Sequence, residues 1–237
     1  MIYHKDKVIM PNYGGKRLNV YFGNKVIHEN LLPSGYTRVD YLQSNEQQVI
    51  DTGFRSVSGI HDVECRFATV NASTNGRTLF GARTNSGVTP APARFGNLYW
   101  GGVNTPGVWI GSTGGVIITS MPVLQHEIHV VRLLVDDSLG TVRRILTKES
   151  TQQTVDDTVS FAGITTTIDT VHLFGAMNSG SVVERIAARV YGFKMWEDGK
   201  LERDFIPALD ATNTPCMWCV VTKKAYYRIG TTEFTYG

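Results

Sequence analysis

The sequence predicts an all-β protein, and three observations support this prediction. Segments rich in β-branched and aromatic residues recur along the chain, as in Arg185–Trp196, where apolar residues alternate with others. Turn signals separate such segments at short intervals: Asn75-Gly76, Asn85-Ser-Gly87, Asn178-Ser-Gly180 and Glu197-Asp-Gly199. No helix-period segment alternates with them, as parallel strands with crossover helices would require. Many closely spaced strands of this kind favour an antiparallel sandwich or barrel.

Length and composition agree with one large β domain. The chain has 237 residues, of which 42% are hydrophobic and 19% charged, and its formal net charge is +2. All-β sandwiches of this length often form a single unit with a self-sufficient core. No basic block is present, so nucleic acid is not a predicted partner.

The first residues and the apolar runs of the sequence indicate where the protein assembles. The first ten residues lack the charged and then apolar order of a secretory signal peptide. No apolar run approaches the ~18–20 residues of a membrane span. We therefore expect assembly in a cytoplasm, without membrane insertion.

An internal repeat marks the N-terminal segment, residues 1–30. Tyr3-His-Lys-Asp-Lys-Val-Ile9 matches Tyr21-Phe-Gly-Asn-Lys-Val-Ile27 in the pattern Y-x-x-(D/N)-K-V-I, with the turn-rich Pro11-Asn-Tyr-Gly-Gly-Lys16 between the copies. Two or three short strands are predicted here. A lone hairpin is marginal in water, so we expect these strands to pair with the main domain, sister subunits or another protein. The predicted attachment residues are Tyr3, Val8, Tyr21 and Val26.

Residues 31–237 are predicted to form the sandwich. His126–Val135 and Arg185–Trp196 have strand composition. The tetrapeptide Leu-Phe-Gly-Ala occurs at 79–82 and at 173–176, which is consistent with equivalent strands in facing sheets. Residues 84–115, rich in Gly, Pro, Asn and Thr, are the least regular stretch and are predicted to form a surface loop.

A glycan-binding site is predicted on this loop. Its candidate residues are Arg94, Tyr99, Trp100, Asn104 and Trp109. Exposed aromatic rings stack on the apolar faces of sugars, while Arg and Asn side chains bond the hydroxyl groups. The alternative is that both tryptophans fill the core, because Trp is usually mostly buried.

The cysteines predict neither disulfides nor a reactive pair. The chain has three cysteines and no signal peptide, which argues against a disulfide framework. Cys216-Met-Trp-Cys219 has C-x-x-C spacing, but it runs into Val220-Val221-Thr222, which has strand composition. A redox pair needs a helix N-terminus to lower its thiol pKa, and a zinc site needs two further ligands. Buried, inert thiols are the prediction.

Acidic and histidine motifs are also weak. Asp136-Asp137 and Asp156-Asp157 could contribute to a calcium site, but adjacent aspartates usually occupy turns. His126-Glu-Ile-His129 lacks the i, i+4 spacing of a helical zinc motif. Asp62-Val-Glu64 lacks the third acid of a β-sandwich glucanase strand. We predict no metal, no cofactor and no enzymatic activity.

Both ends of the larger domain resemble a known domain class. Leu32-Pro-Ser-Gly-Tyr-Thr-Arg-Val-Asp-Tyr-Leu-Gln-Ser44 and Gln48-Val-Ile-Asp-Thr-Gly53 resemble the L-P-x-G-Y…Q-Y-I-D-T-G opening of concanavalin A-like (laminin-G-like) jelly-roll domains. Phe193–Pro207 resembles their late strand, turn and D-F-I-P segment, and residues 222–237 resemble their closing F-Y-x-N-x-G-T-G segment. Residues 84–165 match only loosely, and Cys216-Met-Trp-Cys219 replaces the usual Gly-x-Tyr-Asp run.

Domains of this class occur in virion proteins of tailed phages of gut bacteria and in surface proteins of their hosts. The resemblance implies an antiparallel jelly-roll sandwich carried by a non-enzymatic phage virion protein, as a head fibre, capsid decoration or tail-associated protein. It implies contacts with other virion proteins through residues 1–29, a homo-oligomer, which we expect to be a trimer, and adhesion to host-surface polysaccharide.

Fold alone does not fix function, so alternatives stay open. The main one is a purely structural virion protein that binds no glycan. A glycoside hydrolase and a bacterial surface adhesin are less favoured.

Overall fold

The computed structural model describes residues 2–4, 7–9, 20–22, 25–27, 32–57, 59–71, 76–84, 93–102, 104–117, 121–163 and 165–237. All regular elements in these ranges are strands, which confirms the predicted all-β class. The chain divides into two compact units, Met1–Ser34 and Gly35–Gly237. None of the described ranges contains a helix that could cross a membrane.

The smaller unit is a four-stranded antiparallel sheet with the order β1-β2-β3-β4 among its described residues. Its strands are β1 (Ile2–His4), β2 (Lys7–Ile9), β3 (Val20–Phe22) and β4 (Lys25–Ile27). The prediction of two or three strands was too low, because each copy of the repeat supplies a whole hairpin. The middle residues of the strands form one row across the sheet, in the order Tyr3, Val8, Tyr21 and Val26.

The larger unit contains the remaining strands. In chain order they are β5 (Thr37–Arg38), β6 (Leu42–Gln43), β7 (Val49–Asp51), β8 (Ile60–Thr69), β9 (Arg77–Thr84), β10 (Ala93–Gly102), β11 (Thr105–Ile110), β12 (Thr113–Ile117), β13 (His129–Asp136), β14 (Thr141–Lys148), β15 (Gln153–Ser160), β16 (His172–Leu173), β17 (Ala176–Asn178), β18 (Ser181–Val183), β19 (Ala188–Glu197), β20 (Lys200–Leu209), β21 (Pro215–Cys219), β22 (Lys224–Tyr226), β23 (Arg228–Ile229) and β24 (Thr235–Tyr236).

These strands form two sheets. Sheet I has the order β12-β11-β10-β9-β16-β7-β23, and the β17–β18 hairpin joins it through a parallel pairing of β17 with β9. Sheet II has the order β15-β14-β13-β8-β19-β20-β21-β22, with β5, β6 and β24 beside this path. The other strand pairings of both sheets in the described ranges are antiparallel, as predicted for a sandwich.

The core lies between the two sheets. Strands such as β13 alternate buried and half-buried residues, so that every second side chain faces the core. Phe80 of sheet I packs against Phe193 of sheet II with ring centroids 5.3 Å apart. Between β8 and β10, His61 meets Phe95 edge to face at 4.9 Å. Aromatic contacts across the gap therefore hold the two sheets face to face.

The two ends of the larger unit meet within the sheets, as the motif pattern predicts. Strand β7 pairs with β23, and β6 pairs with β24. Gln48, near the start, donates hydrogen bonds through Nε2 to Thr232 Oγ1 at 2.6 Å and to the Glu233 carbonyl at 2.7 Å. The chain closes the fold by returning to its own first strands.

The stretch predicted to be a surface loop is mainly sheet. Its described residues from 93 to 117 form β10, β11 and β12, an antiparallel meander. Leu98 and Val108 face each other in the register, and both are buried in the core. Seven glycines and one proline interrupt the alternation of apolar residues between 93 and 117, so the strands are hard to recognise in the sequence.

Two smaller expectations are also wrong. The Leu-Phe-Gly-Ala copies lie in neighbouring strands of one sheet, where Phe80 pairs with Leu173, and not in facing sheets. Asp156 and Asp157 lie inside β15 and not in a turn. Each of these carboxylates instead pairs with an arginine of β14.

Candidate glycan-binding site

The candidate site lies on the outer face of sheet I. Arg83 of β9 and Arg94 of β10 are direct cross-strand partners, so their side chains share one face of the sheet. The next pair along the same strands, Ala82 and Phe95, is buried in the core. Because successive residues of a strand face opposite sides, the two arginines lie on the side away from the core.

Glu184 neutralises one of these arginines. Its Oε1 accepts a hydrogen bond from Arg83 Nη1 at 2.5 Å, and its Oε2 accepts one from Thr78 Oγ1 at 2.8 Å. The Arg83 and Glu184 side chains are only 15% and 16% exposed. This ion pair is largely screened from solvent and therefore fixes the position of the Arg83 guanidinium.

Arg94 lies on Trp109 instead of on a carboxylate. Its guanidinium carbon is 4.9 Å from the centroid of the Trp109 ring, a cation–π arrangement, and that of Arg83 is 5.8 Å from the same ring. Arg94 Nη1 also approaches the carbonyl oxygen of Gly111 at 3.5 Å. Burial, and secondly the charge of Arg83, lower the pKa of Arg94, while Glu184 opposes this shift. Arginine remains charged nonetheless.

Gly111 holds the end of β11 against this arginine. Its φ is 55°, and a Cβ at this position would overlap the carbonyl oxygen of Ala162. Its N–H donates to the carbonyl of Arg94 at 2.9 Å. Only glycine fits here, and the close approach of residues 111 and 162 places the end of β11 beside Arg94.

Several buried polar atoms around the two arginines have no hydrogen-bond partner among the described residues. They are Arg83 Nε, Arg94 Nε and Asn178 Oδ1. Asn178 lies beside Arg83 in the parallel register of β17 and β9. An unsatisfied buried donor or acceptor is costly, so these side chains gain free energy when they turn to meet a partner.

The charge of this cluster is unbalanced. Two guanidiniums and one carboxylate lie in contact within the part of the chain that the structure describes, and the carboxylate bonds only one of the guanidiniums. We call the group formed by Arg83, Arg94, Trp109 and Glu184 the arginine cluster. Chemically it can accept an anion that bonds Arg94.

The predicted site residues do not all converge. The structure brings Arg94 and Trp109 together. Asn104, with a φ of 58°, lies at the turn between β10 and β11, and five extended residues separate it from Trp109 by ~17 Å. Tyr99 and Trp100 pair with Gly107 and Pro106 in the backbone register, and their side chains lie outside the described residues. Their role stays a prediction.

Trp109 does not fill the core, and its stacking on a sugar stays a prediction. It is half-buried on the outer face, so it does not fill the core. The Arg94 guanidinium occupies one face of its ring, so that face is not free to stack on a sugar. On that face the site offers a ligand charge and hydrogen-bonding groups instead of a free aromatic ring.

Thr78, Arg83, Asn178 and Glu184 were missed by the sequence analysis. Thr78 and Arg83 both hydrogen-bond Glu184, although residues 78 and 83 are distant in sequence from residue 184. Only the pairing of β9 with β10 and β17 brings them beside Arg94. No local motif in the sequence carries this information.

The cysteines are free and buried in the structure. Cys216 and Cys219 both lie in β21, and the residues after Cys219 form a turn, so the strand expected at 220–222 is wrong. Burial, with a smaller effect of Asp210, raises the pKa of the Cys216 thiol to about 12. Burial also raises the pKa of Cys65 well above its usual value. Inert thiols follow from these shifts.

The remaining sequence motifs do not form a second site. Asp62 is held by the guanidinium of Arg132 on the outer face of sheet II. No cluster of three or more His, Cys, Asp or Glu side chains suited to a metal ion occurs within the described ranges. The absence of enzymatic activity remains a prediction.

Comparison with known proteins supports the fold. No protein-family model and no curated protein matches the chain in sequence. The CBM40 domain of the Ruminococcus gnavus IT-sialidase, solved with alpha2,6 sialyllactose bound, matches the structure with a TM-score of 0.50 and 13% identity over 69% of this chain and 92% of that chain. At this identity the likeness extends to the fold alone, a lectin-like jelly-roll sandwich.

Two looser similarities accompany it. The native heptameric SAP-like pentraxin of Limulus polyphemus has a TM-score of 0.47 at 11% identity over 69% of this chain and 77% of that chain. The K499G mutant of the NanB sialidase of Streptococcus pneumoniae has a TM-score of 0.48 at 15% identity over 70% of this chain and 26% of that chain. Similarities this distant do not bear on the function of this chain.

Proposed function

We propose that this protein is a non-enzymatic, lectin-like glycan-binding protein that recognises a carboxylate-bearing sugar at the arginine cluster. The observation that carries the proposal is Arg94. Arg94 is half-buried, its guanidinium lies on Trp109, its Nε has no hydrogen-bond partner among the described residues, and its Nη1 makes only a long contact of 3.5 Å with the Gly111 carbonyl oxygen.

The chemistry of the cluster fits a sugar acid. A carboxylate can bond a guanidinium through two parallel hydrogen bonds, which are stronger than bonds between neutral groups. Arg83 and Asn178 share the outer face with Arg94, and their side chains can meet hydroxyl groups of the same sugar once they turn toward it. An acidic ligand thus balances the excess positive charge of the cluster.

The test is the binding of a polyuronate and of sialyllactose to the full chain by isothermal titration calorimetry. The polyuronate is compared with the same polymer after its carboxylates are reduced to alcohols. Arg94→Gln is expected to weaken binding by about 10-fold or more, since a hydrogen bond to a charged group contributes about 1.5–3 kcal/mol.

A matched control is Arg189→Gln. Arg189 also lies over an aromatic ring, 4.7 Å from the centroid of Tyr41, and it bonds Gln43 and not a carboxylate, but it belongs to sheet II. This variant should bind as the wild type does. Equal binding of the native and the reduced polymer, or equal losses in the two variants, would contradict the proposal.

We further propose that the protein is a phage virion component, assembled in the host cytoplasm. Residues 1–29 would contact other virion proteins and form a homo-oligomer, for which a trimer is our prediction. The L-P-S-G-Y opening, the D-F-I-P segment and the N-terminal repeat support this proposal. Mass spectrometry of purified particles from the native host tests it. Absence of the protein from intact particles would refute it.

The alternative is a structural protein that binds no small ligand. It predicts that the full chain occurs in the particle and that neither acidic nor neutral host polysaccharide binds to it, even when the protein is presented in many copies.

A further inference from the structure

The N-terminal sheet is built from two equivalent hairpins. The sequence repeat has an offset of 18 residues, and the strands follow it: β1 corresponds to β3, and β2 corresponds to β4. The registers correspond as well. Tyr3 pairs with Val8 in the first hairpin as Tyr21 pairs with Val26 in the second. The unit is therefore a two-fold repeat of one hairpin along the sheet.

The two hairpins join through β2 and β3. Val8 pairs with Tyr21, and Lys7 pairs with Phe22. The second strand of the first hairpin, β2, thus pairs with the first strand of the second hairpin, β3. By the repeat, β4 is equivalent to β2, and β1 is equivalent to β3. The two edges of the sheet are thus complementary to each other, because the contact that would join them already exists inside it.

Backbone geometry points the hydrogen-bonding groups of both edges outward. Two residues separate His4 from Lys7, and the pair that closes such a hairpin exchanges backbone hydrogen bonds. In an antiparallel pair hydrogen-bonded and non-hydrogen-bonded positions alternate, so Tyr3 and Val8 do not bond each other. The N–H and C=O of Tyr3 therefore face away from β2. By the same reasoning, those of Val26 face away from β3.

Neither edge is paired within the part of the chain that the structure describes. Unpaired edges are templates for another strand, and lysine is a common device against such pairing. Lys25 of β4 is not expected to prevent pairing. Its equivalent in the repeat, Lys7 of β2, already lies opposite Phe22 in the β2–β3 pairing.

We propose that β4 of one copy of this protein pairs antiparallel with β1 of a second copy, with Val26 opposite Tyr3 of the next chain. This inference deepens the proposed homo-oligomer, on which it rests, by naming its surface and register. The contact is head-to-tail, so it generates a ring when the rotation between copies closes. Each contact is only three residues long, and ring closure is what makes several such contacts stable together.

The test uses two proline variants of the full chain, Tyr3→Pro and Val26→Pro. Proline removes an N–H that faces the free edge, so the sheet within one chain keeps its own hydrogen bonds. Native mass spectrometry and light scattering give the oligomeric mass. The wild type should be an oligomer, and each variant alone should be a monomer. Tyr3→Thr and Val26→Thr keep the N–H and should remain oligomeric.

A mixture of the two proline variants makes the test specific. Tyr3→Pro retains a functional β4, and Val26→Pro retains a functional β1, so the mixture should give a dimer with one chain of each. Pairing of like edges predicts instead that one variant dimerises alone, and this outcome overturns the head-to-tail arrangement. A wild type that is monomeric, or an oligomer that survives both proline substitutions, also overturns it.

The outcome is independent of the glycan proposal. Binding of a short uronic acid oligomer, which occupies one arginine cluster at a time, should be the same in the monomeric variants and in the wild type. An oligomer that survives both proline variants leaves the homo-oligomer proposal standing and refutes only this mode of pairing.

Discussion

Replacing Glu184 with Gln is expected to lower the stability of the larger unit and to tighten its binding of an acidic glycan. The Glu184 carboxylate bonds Arg83 at 2.5 Å and Thr78 at 2.8 Å. Glutamine keeps the size of the side chain and one oxygen acceptor, but it removes the negative charge. The same change should therefore act in opposite directions on folding and on binding.

The burial of the ion pair sets the size of the stability effect. Breaking a fully buried pair costs about 3–5 kcal/mol. Arg83 and Glu184 are 15% and 16% exposed, and Gln retains a hydrogen bond, so we expect a loss of about 2 kcal/mol. For a unit of this size that loss lowers Tm by about 4–8 °C.

The binding effect follows from Coulomb's law. A ligand carboxylate on Arg94 would lie between one and two strand spacings from Glu184, roughly 7 Å. Removing their repulsion is worth about 2 kcal/mol at an effective dielectric constant of about 20. Screening at physiological salt reduces this to about 1 kcal/mol, or roughly five-fold tighter binding.

Thermal unfolding by circular dichroism and calorimetric titration with the polyuronate measure the two effects. The control is Glu149→Gln, which changes the net charge equally. Glu149 pairs with Arg66 of β8 at 2.5 Å, and β8 belongs to sheet II and not to the sheet that carries the arginine cluster. Weaker binding in Glu184→Gln, or equal tightening in both variants, would refute the electrostatic account of the arginine cluster.

Three other expectations concern stability and thiol reactivity. Asp157→Asn should lower Tm by ~5 °C, because the side chain of its partner Arg144 is only 3% exposed. Asp156→Asn breaks an equivalent pair on the exposed face, so it should leave Tm unchanged in the same melting experiment. Burial lowers the pKa of His129, so the unfolded state binds its proton more tightly than the folded state does. The free energy of unfolding, measured with urea, should therefore fall as pH drops below about 6.5, and it should fall less in His129→Gln. Cys216 should resist iodoacetamide at pH 8 in the folded protein, and all three cysteines should react in denaturant; rapid alkylation of the folded protein would contradict the buried position of the thiol.

The alternation of apolar and other residues and the turn signals predicted most of the fold correctly. Arg185–Trp196 alternates in sequence, and β19 occupies Ala188–Glu197. The Glu197-Asp-Gly199 signal is a tight turn, with φ values of 47° at Asp198 and 78° at Gly199. Between 93 and 117 the same reasoning failed, because seven glycines and one proline interrupt the alternation of apolar residues.

The candidate site was less predictable than the fold, for a physical reason. Arg94 and Trp109 were identified because both lie in an aromatic, Gly-rich stretch. Glu184 completes the cluster through β18, which reaches Arg83 only after the sheet has formed. Pairing register decides which side chains share a face, and a shift of one residue would turn Arg83 toward the core. A single sequence does not specify such long-range registers.

The two proposals are linked by the energetics of a small site. A sugar acid that bonds one guanidinium and a few polar atoms gains only a few hydrogen bonds, and association itself costs much of that free energy. A single arginine cluster is therefore expected to bind weakly. A polysaccharide repeats its acidic sugar many times, so a ring of several copies can bind it at several points with a high effective concentration. The monomeric Val26→Pro variant should then keep its affinity for a short uronic acid oligomer but lose most of its apparent affinity for the polymer. If the polymer binds the monomer and the ring equally well, the N-terminal sheet contributes nothing to adhesion.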